Sequence, residues 1–566
     1  MENFEKFYSN SFKHPQTRKQ LINSLNFEKK FYNKVIKILS KKFNKIFFLN
    51  ENILFWDKIL GSFIYFHITQ TYNLYNSCIR VNLANKRVII RKQDYYVPDN
   101  LEDYRNYFQR SLLGNKQLYS IFYYNENKNL YEKNQYKIIK KFKNKFNNQR
   151  KFHANQTSRS NLKNIFFKII NKIYRRIKKP TVLAFGVYWT EQEKINVNYL
   201  MKGRILISKF TLSIKSLSVN SELRDSLFFF KLTKNKFERF FFESLKYSAP
   251  KSIVEDLILN IKDTEQLAKK YSQVKYFLNE NLSEGNLFFN AVLGKNKVKT
   301  IYIQHNFISH IYLSNQINFI LKKFDKYYNF GWLPFTNKKR IVRAASLFNW
   351  ISLENKKPFN IENNYILFVP TQPLEIMHYT SGYLGECGKF FAEKYISVEK
   401  KFIDNLSHSV KKTLIYKTLP KSFPLSFESS YANIMTKYLK NNNIRVFESN
   451  KFDVESYFAE SKLIIISYMA TAYLQALHSN KPTVIFFSNE AYFLKKKYLN
   501  YFDELIDAKI LHLNPMSAVN FVNSIHNNVE DWWLNKKTIS SRKKFLNKNF
   551  LPKTVFYKKL LQLQNH

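Results

Sequence analysis

From residue 181 onward, short apolar runs of strand length alternate with stretches of helical pattern, and this alternation constrains the fold more than any other feature of the chain. The runs are TVLAFGVYW (181–189), GRILISKFTL (203–212), VKTIYIQHN (298–306), YILFVP (365–370), KTLIYKTLP (412–420), IRVFES (444–449), KLIIISY (462–468) and PTVIFFS (482–488). Helical patterns separate most of them, including one predicted around Glu255 to Asn279. Strands that alternate with helices form parallel βαβ units in an open twisted sheet. The series is split at 332–360, WLPFTNKKRIVRAASLFNWISLENKKPFN, a connector pattern. A chain of 566 residues also exceeds what one core holds. The expectation is an α/β protein with two Rossmann-like domains facing a cleft: an acceptor-side domain over 181–340 and a nucleotide-donor domain over 341–545. A helical, basic N-terminal region over 1–180 packs on the first domain, and 546–566 is a tail.

Within the N-terminal region, Ile53 to Tyr75 carries apolar residues on more than one helical face, as a buried core helix does. Residues 134–180 are basic and Asn-rich with few acids, a solvated helix with a loop or an insertion. The whole chain carries 92 Lys plus Arg against 42 Asp plus Glu, a net charge of +50. Such a charge points to nucleic acid or an anionic membrane. Enrichment in Lys, Asn, Ile, Phe and Tyr, with only 10 Gly and 13 Pro, is equally what an AT-rich coding sequence imposes. We assign the charge chiefly to that bias. A face for anionic lipid contributes second, with 134–180 its first candidate. Lysines are spread along the chain with no nucleic-acid-binding module, which argues against a specific nucleic-acid partner.

Two cysteines, Cys78 and Cys387, make no disulfide framework and sit in no metal-type spacing. The N-terminal residues lack the apolar core of a signal peptide, and no run reaches the roughly 18 apolar residues of a membrane span. The expected location is cytoplasmic, with at most peripheral contact at the inner membrane.

Three segments could carry chemistry. In AESKLIIISYMATAYLQALHSNKPTVIFFS (459–488) a buried strand runs into a turn, and a helix begins near Thr471. Ser467 and Thr471 can cap that helix or offer hydroxyls at its start, where free N–H groups attract anions. An ordinary capped helix between two strands accounts for the same residues. In IYIQHN, His305 follows a strand end beside Gln304 and could act as general base, its unperturbed pKa of about 6.5 lying near working pH. A hydrogen-bonded structural histidine is the plain alternative. Lys417 follows the strand in LIYKTLP and could neutralise a diphosphate, one lysine among many. Phosphate-loop, dinucleotide and nucleophile-elbow patterns are missing from the sequence. The DWW at 531–533 fits helix packing.

The order of segments resembles a family of bacterial transferases found among surface-carbohydrate and O-antigen biosynthesis genes, with GT-B-like architecture and a distant likeness to CDP-glycerol glycerophosphotransferases. FWDKILGSFIYFHITQTYNLY is similar to that family's W-(+)-x-x-L-G helix, and IYIQHNFISHIYLSN with FDKYYNFGW to its Q-H-G-G block. SYMATAYLQALHSNKPTVIFF is similar to its T-Y-N-(A/S)-T-x-(F/Y)-L-E segment. Asn306 and Phe307 stand where two glycines are usual, Gln475 where an acid is usual, and Lys417 where Arg is common.

The resemblance implies a glycosyltransferase that moves a sugar or sugar-like group from a nucleotide-activated donor to a surface-polysaccharide acceptor, a glycan or lipid-linked glycan. It implies donor contacts at Lys417, Ser467, Tyr468, Thr471 and Gln475, and cleft positions at Gln304 and Asn306. His305 is the first expected base, with Glu191 or Glu193 as substitutes. Dipole and cation would stabilise the leaving phosphate without a required metal or other cofactor. The competing readings are a polyanion- or membrane-binding protein without catalysis, and a degenerate GT-B scaffold in a polysaccharide assembly complex.

Overall fold

The computed structural model describes residues 17–80, 95–109, 111–126, 138–139, 169–170, 172–174, 177–208, 218–230, 235–304, 316–329, 339–345, 365–370, 389–418, 431–448, 455–469, 472–488 and 496–564. Two six-stranded parallel sheets organise them. The first holds β1 (Val182–Phe185), β2 (Ile205–Ser208), β3 (Tyr276–Asn279), β4 (Lys299–Ile303), β5 (Lys326–Asn329) and β6 (Ile341–Arg343), in the order β2-β1-β3-β4-β5-β6. The second holds β7 (Ile366–Val369), β8 (Leu414–Thr418), β9 (Arg445–Glu448), β10 (Leu463–Ile466), β11 (Thr483–Phe486) and β12 (Leu511–His512), in the order β9-β8-β7-β10-β11-β12. The second order is that of a Rossmann domain and the first is the related doubly wound order. Strands covered by helices on both faces need near-continuous apolar sequence. Leu463 to Ile466 meets that need, each residue having no exposed surface.

The described part of the N-terminal region is mainly helical, as expected, while most of the basic stretch 134–180 lies outside the described residues. α1 (Arg18–Phe47) starts at Thr17, whose hydroxyl accepts from the Gln20 amide, and packs along α2 (Ile53–Arg80). Both join the core of the first sheet: Leu21, Trp56 and Phe63 share one cluster with Leu183, Phe277 and Phe289. Trp56 is fully buried and packs edge-on to Phe43 while its Nε1 donates to Asn44 Oδ1 at 2.8 Å. The long apolar stretch at 53–75 is thus an internal helix.

Further helices that position the site are α3 (Glu191–Leu200), α4 (Glu284–Lys295), α5 (Gln316–Lys323), α6 (Lys389–Asp404), α7 (Ala472–His478) and α8 (Lys553–Gln562). Trp532 and Trp533 pack within the second domain, their indole N–H groups donating to the carbonyls of Ala508 and Asn480.

Three expectations are corrected. The helix drawn from Glu255 to Asn279 is a helix over Leu257–Lys270 followed by β3, because a turn at Tyr271–Gln273 separates two periodicities. The boundary at 341 falls inside the first domain, since β6 pairs with β5 through Tyr327 and Ile341. The expected tail contains α8, which crosses back to the first domain. Phe556, Leu560 and Leu563 line one helical face and bury against Val182, Ala184, Leu278 and Ile301.

Candidate functional site

In open parallel sheets, ligands bind beyond the carboxyl ends of the strands where the strand order reverses, because the connections there leave to opposite faces. That point lies between β7 and β10 in the second sheet and between β1 and β3 in the first.

At the second point the chain leaves β10 as Ser467, Tyr468 and Met469. Ser467 is buried, and its hydroxyl donates to Glu399 Oε1 at 2.5 Å while lying 2.6 Å from the Tyr395 hydroxyl. Tyr416 donates to the other Glu399 oxygen at 2.8 Å. Glu399 and Tyr395 come from α6 and Tyr416 from β8, so this network ties the turn to its neighbours from beneath. Burial and the Glu399 carboxylate hold the Tyr395 phenol well above the usual tyrosine range. Ser467 therefore fixes the turn; its hydroxyl is engaged inward. Lys417 sits at the carboxyl end of β8, largely buried, with its Nζ 5.6 Å from the Tyr457 ring centroid. Tyr468 is half-buried at the turn, and Gln475 is half-buried on α7. Lys417 and Tyr468 thus lie at carboxyl ends of strands in the second sheet, while Gln475 sits in the middle of the helix that follows β10. Thr471 lies outside the described residues.

At the first point the structure brings forward residues that sequence reasoning missed. Gly186 follows β1 with φ of +63°, and a Cβ there would fall 2.3 Å from Asn286 Nδ2, so only glycine fits. Asn281 donates to the Gly186 carbonyl at 3.0 Å and accepts from Asn286 Nδ2 at 2.7 Å, while its own amide donates to Asn279 Oδ1 at 2.7 Å. Glu280 is fully buried and accepts from the Tyr188 amide at 2.8 Å. Two buried polar atoms of this cluster, Asn279 Nδ2 and Asn286 Oδ1, have no hydrogen-bond partner among the described residues. Native proteins seldom leave such groups unmet. Burial, with Tyr188 and Glu280 nearby, raises the pKa of the adjoining Tyr302 phenol and keeps it protonated. The sequence signal was the turn-forming run Asn279-Glu280-Asn281, which closes β3 rather than continuing a helix.

Gln304 is buried just past β4, its backbone amide donating to the Tyr328 carbonyl at 2.9 Å. His305 and Asn306 lie outside the described residues. The two glutamates read as substitute bases diverge. Glu191 is exposed in the first turn of α3 and pairs with Lys194 at 2.6 Å. Glu193 is buried where α8 meets the first domain: Tyr557 donates to it and Lys553 pairs with it at 3.3 Å. Its amide donates to Thr190 Oγ1, closing the N-terminal turn of α3. Glu193 is a joint between α3 and α8.

The opposite, amino-terminal edge of the first sheet carries a buried ion pair, Lys323 with Asp57 at 2.6 Å, bound also to the Tyr32 hydroxyl. A cavity of about 370 Å³ lined by Tyr32, Ile36, Asp57 and Lys322 lies beside it. Because α5 ends there, ahead of β5, this cavity is remote from both carboxyl-end clusters. Lys58 donates to the Asn290 carbonyl at 3.1 Å, and burial lowers its pKa to about 8. These contacts explain the Trp56–Gly61 motif as packing. A Cβ on Gly61 would fall 2.4 Å from Lys323 Nζ.

A family model described as "LIC12162 family transferase" matches residues 2–555. No curated protein matches the chain. Among solved structures, the chain is similar to the UDP-GlcNAc 2-epimerase of Methanocaldococcus jannaschii in complex with UDP-GlcNAc and UDP, at 11% identity and a TM-score of 0.39, over 69% of this chain and 100% of that one. It is also similar to a UDP-forming trehalose-phosphate synthase from Burkholderia xenovorans, at 9% identity and a TM-score of 0.37, over 68% of this chain and 99% of that one. A third is the spinosyn rhamnosyltransferase complexed with spinosyn aglycone, at 8% identity and a TM-score of 0.29, over 68% of this chain and 100% of that one.

Proposed function

We propose, from the premise that the chain belongs to the LIC12162 family of transferases, that it is a glycosyltransferase using a nucleotide-activated sugar. The observation that carries this reading is the reversal of strand order between β7 and β10, which leaves Tyr468 and Lys417 at the carboxyl ends of a Rossmann-ordered sheet. In this reading the donor diphosphate lies against that edge. The Lys417 ammonium offsets its charge, and backbone N–H groups near Thr471 bind the phosphate that departs. Gln475 sits further on, in the helix that follows β10.

The acceptor, a glycan or lipid-linked glycan of the bacterial surface, lies against the first sheet. Its hydroxyls suit the Asn279, Asn281 and Asn286 amides, which offer both donors and acceptors. His305 takes the proton from the attacking hydroxyl as the bond to the sugar anomeric carbon forms and the bond to the donor phosphate breaks. Glu280 is the buried acid of the same sheet edge and replaces Glu193 as the second choice for base.

Heat stabilisation by nucleotides tests the donor half: a rise in melting temperature with UDP, CDP, GDP or CMP is expected. No shift with any of them removes the donor site. His305→Ala should lower turnover by roughly 100-fold or more with nucleotide binding intact. Unchanged turnover assigns the base elsewhere, with Glu280→Gln the next variant.

A further inference from the structure

The exposed face of α1 is a basic ridge. The helix is continuous from Arg18 to Phe47 and carries nine Lys and Arg against one acid, Glu28, which is buried. Lys30, Lys34, Lys37, Lys41 and Lys45 recur at intervals of four and three residues, which keeps them within about 80° of one another around the axis. All five are exposed, over a rise of about 22 Å. Lys34 pairs with Glu238 at 2.5 Å, and no other carboxylate of the described residues pairs with the ridge. Coding bias enriches lysine along the whole chain, yet on other helices Lys194, Lys246 and Lys295 each meet carboxylates within 3.2 Å.

Apolar side chains border the carboxyl end of the ridge. Phe48, the residue after α1, has φ of +53°, where glycine or asparagine is usual, and is 95% exposed. Ile53 and Leu54, at the start of α2, are 51% and 45% exposed. They line the cavity together with Asn33, exposed on α1 beside the ridge, which accepts from Lys322 at 2.8 Å. On the other flank Lys42 donates to the carbonyl of Phe229, itself an exposed residue.

We infer that this face of α1 docks on an anionic lipid bilayer, its lysines among the head groups while Phe48, Ile53 and Leu54 enter the acyl boundary. Lysines near an anionic leaflet each add to the attraction, and a polybasic patch joined to an apolar anchor gives two binding signals. Lysine stems reach phosphates while their methylenes rest on apolar surface. The net charge of +50 adds long-range attraction. Duplex nucleic acid would use the ridge and leave Phe48, Ile53 and Leu54 in water. A second copy of the chain would bring two basic ridges together. The inference rests on α1 and its borders and not on the transferase reading.

The test is co-sedimentation of the full chain with phosphatidylcholine vesicles, with and without phosphatidylglycerol, at low and high salt. The expected result is pelleting with phosphatidylglycerol vesicles that salt weakens. In the quadruple variant Lys30→Gln, Lys37→Gln, Lys41→Gln, Lys45→Gln the partition coefficient on those vesicles should fall by about a hundredfold. The same four positions changed to Arg should bind as the wild type does. Removing four charges elsewhere, by Lys536→Gln, Lys537→Gln, Lys543→Gln and Lys544→Gln, should cost far less. Phe48→Asn with Leu54→Ser should lower partitioning about tenfold, and asparagine suits the backbone at 48. All these positions are exposed, and an unchanged melting temperature verifies that the variants fold. A wild-type chain that stays in the supernatant, or equal losses from the two sets of four lysines, overturns the inference. So does an apolar variant that pellets like the wild type, or duplex DNA bound more tightly than vesicles. Nucleotide-induced heat stabilisation, measured on the same variants, should be unchanged, so a failed donor site and a failed lipid site give different results.

Discussion

Buried titratable side chains give this chain a pH dependence that can be followed residue by residue. Glu28 is fully buried on α1 with Thr69 donating to it at 3.1 Å, and burial raises its pKa to about 8. The folded state therefore holds that proton more tightly than the unfolded chain does. Stability from Glu28 is present below its ordinary value of 4.5 and lost as pH rises toward about 8. His67 behaves oppositely: burial lowers its pKa from 6.5 to about 3, so its contribution is lost as pH falls through that interval. The ring is held by the Tyr104 hydroxyl at 3.0 Å and Ser244 Oγ at 2.7 Å. Denaturant midpoints across this range should drop at both ends, and Glu28→Gln should remove the alkaline drop alone. Asp57→Ala strands the Lys323 ammonium in the core and should cost about 3–5 kcal/mol in a denaturation measurement. The Trp56–Gly61 motif was visible in the sequence, but its meaning was not, because Lys323 lies 266 residues from Asp57. Ser467 was visible too, as the end of a buried strand. That its hydroxyl faces Glu399 was not, since α6 contributes that residue from 68 positions away. Ser467→Ala should cost about 1–3 kcal/mol by leaving Glu399 one donor short, with nucleotide affinity nearly unchanged.

Among the elements, the strands found from sequence are those with the longest apolar runs. β10 and β11 are buried throughout, as helix-covered parallel strands must be. β3, β5, β6 and β12 escaped because they are short or carry polar ends: Tyr276–Asn279, Lys326–Asn329, Ile341–Arg343 and Leu511–His512. Pairing with longer neighbours, not their own pattern, makes them strands. The same holds for α8, whose apolar face matters only against the first sheet. Trp189 packs edge-on to Phe556 at 5.7 Å, and Glu193 holds Tyr557 and Lys553. A chain truncated before Lys553 loses this cover. Its first domain should melt at lower temperature than its second, splitting one calorimetric transition into two.

For the molecule as a whole, alternation of strand and helix was enough to predict two doubly wound domains with a helical extension. The extension proves continuous with the first core, where Leu21 and Phe63 cluster with Phe277 and Phe289. Both sheets direct polar residues to their carboxyl ends, one set rich in asparagine and one holding Lys417, and the proposed function assigns one edge to each substrate. Hydrogen exchange with and without a nucleoside diphosphate tests this division most directly. The account predicts slowed exchange at Ser467–Met469 and at the end of β8 near Lys417, with little change from Asn279 to Asn286. Protection confined to Asn279–Asn286, or no protection with any nucleotide, would contradict it.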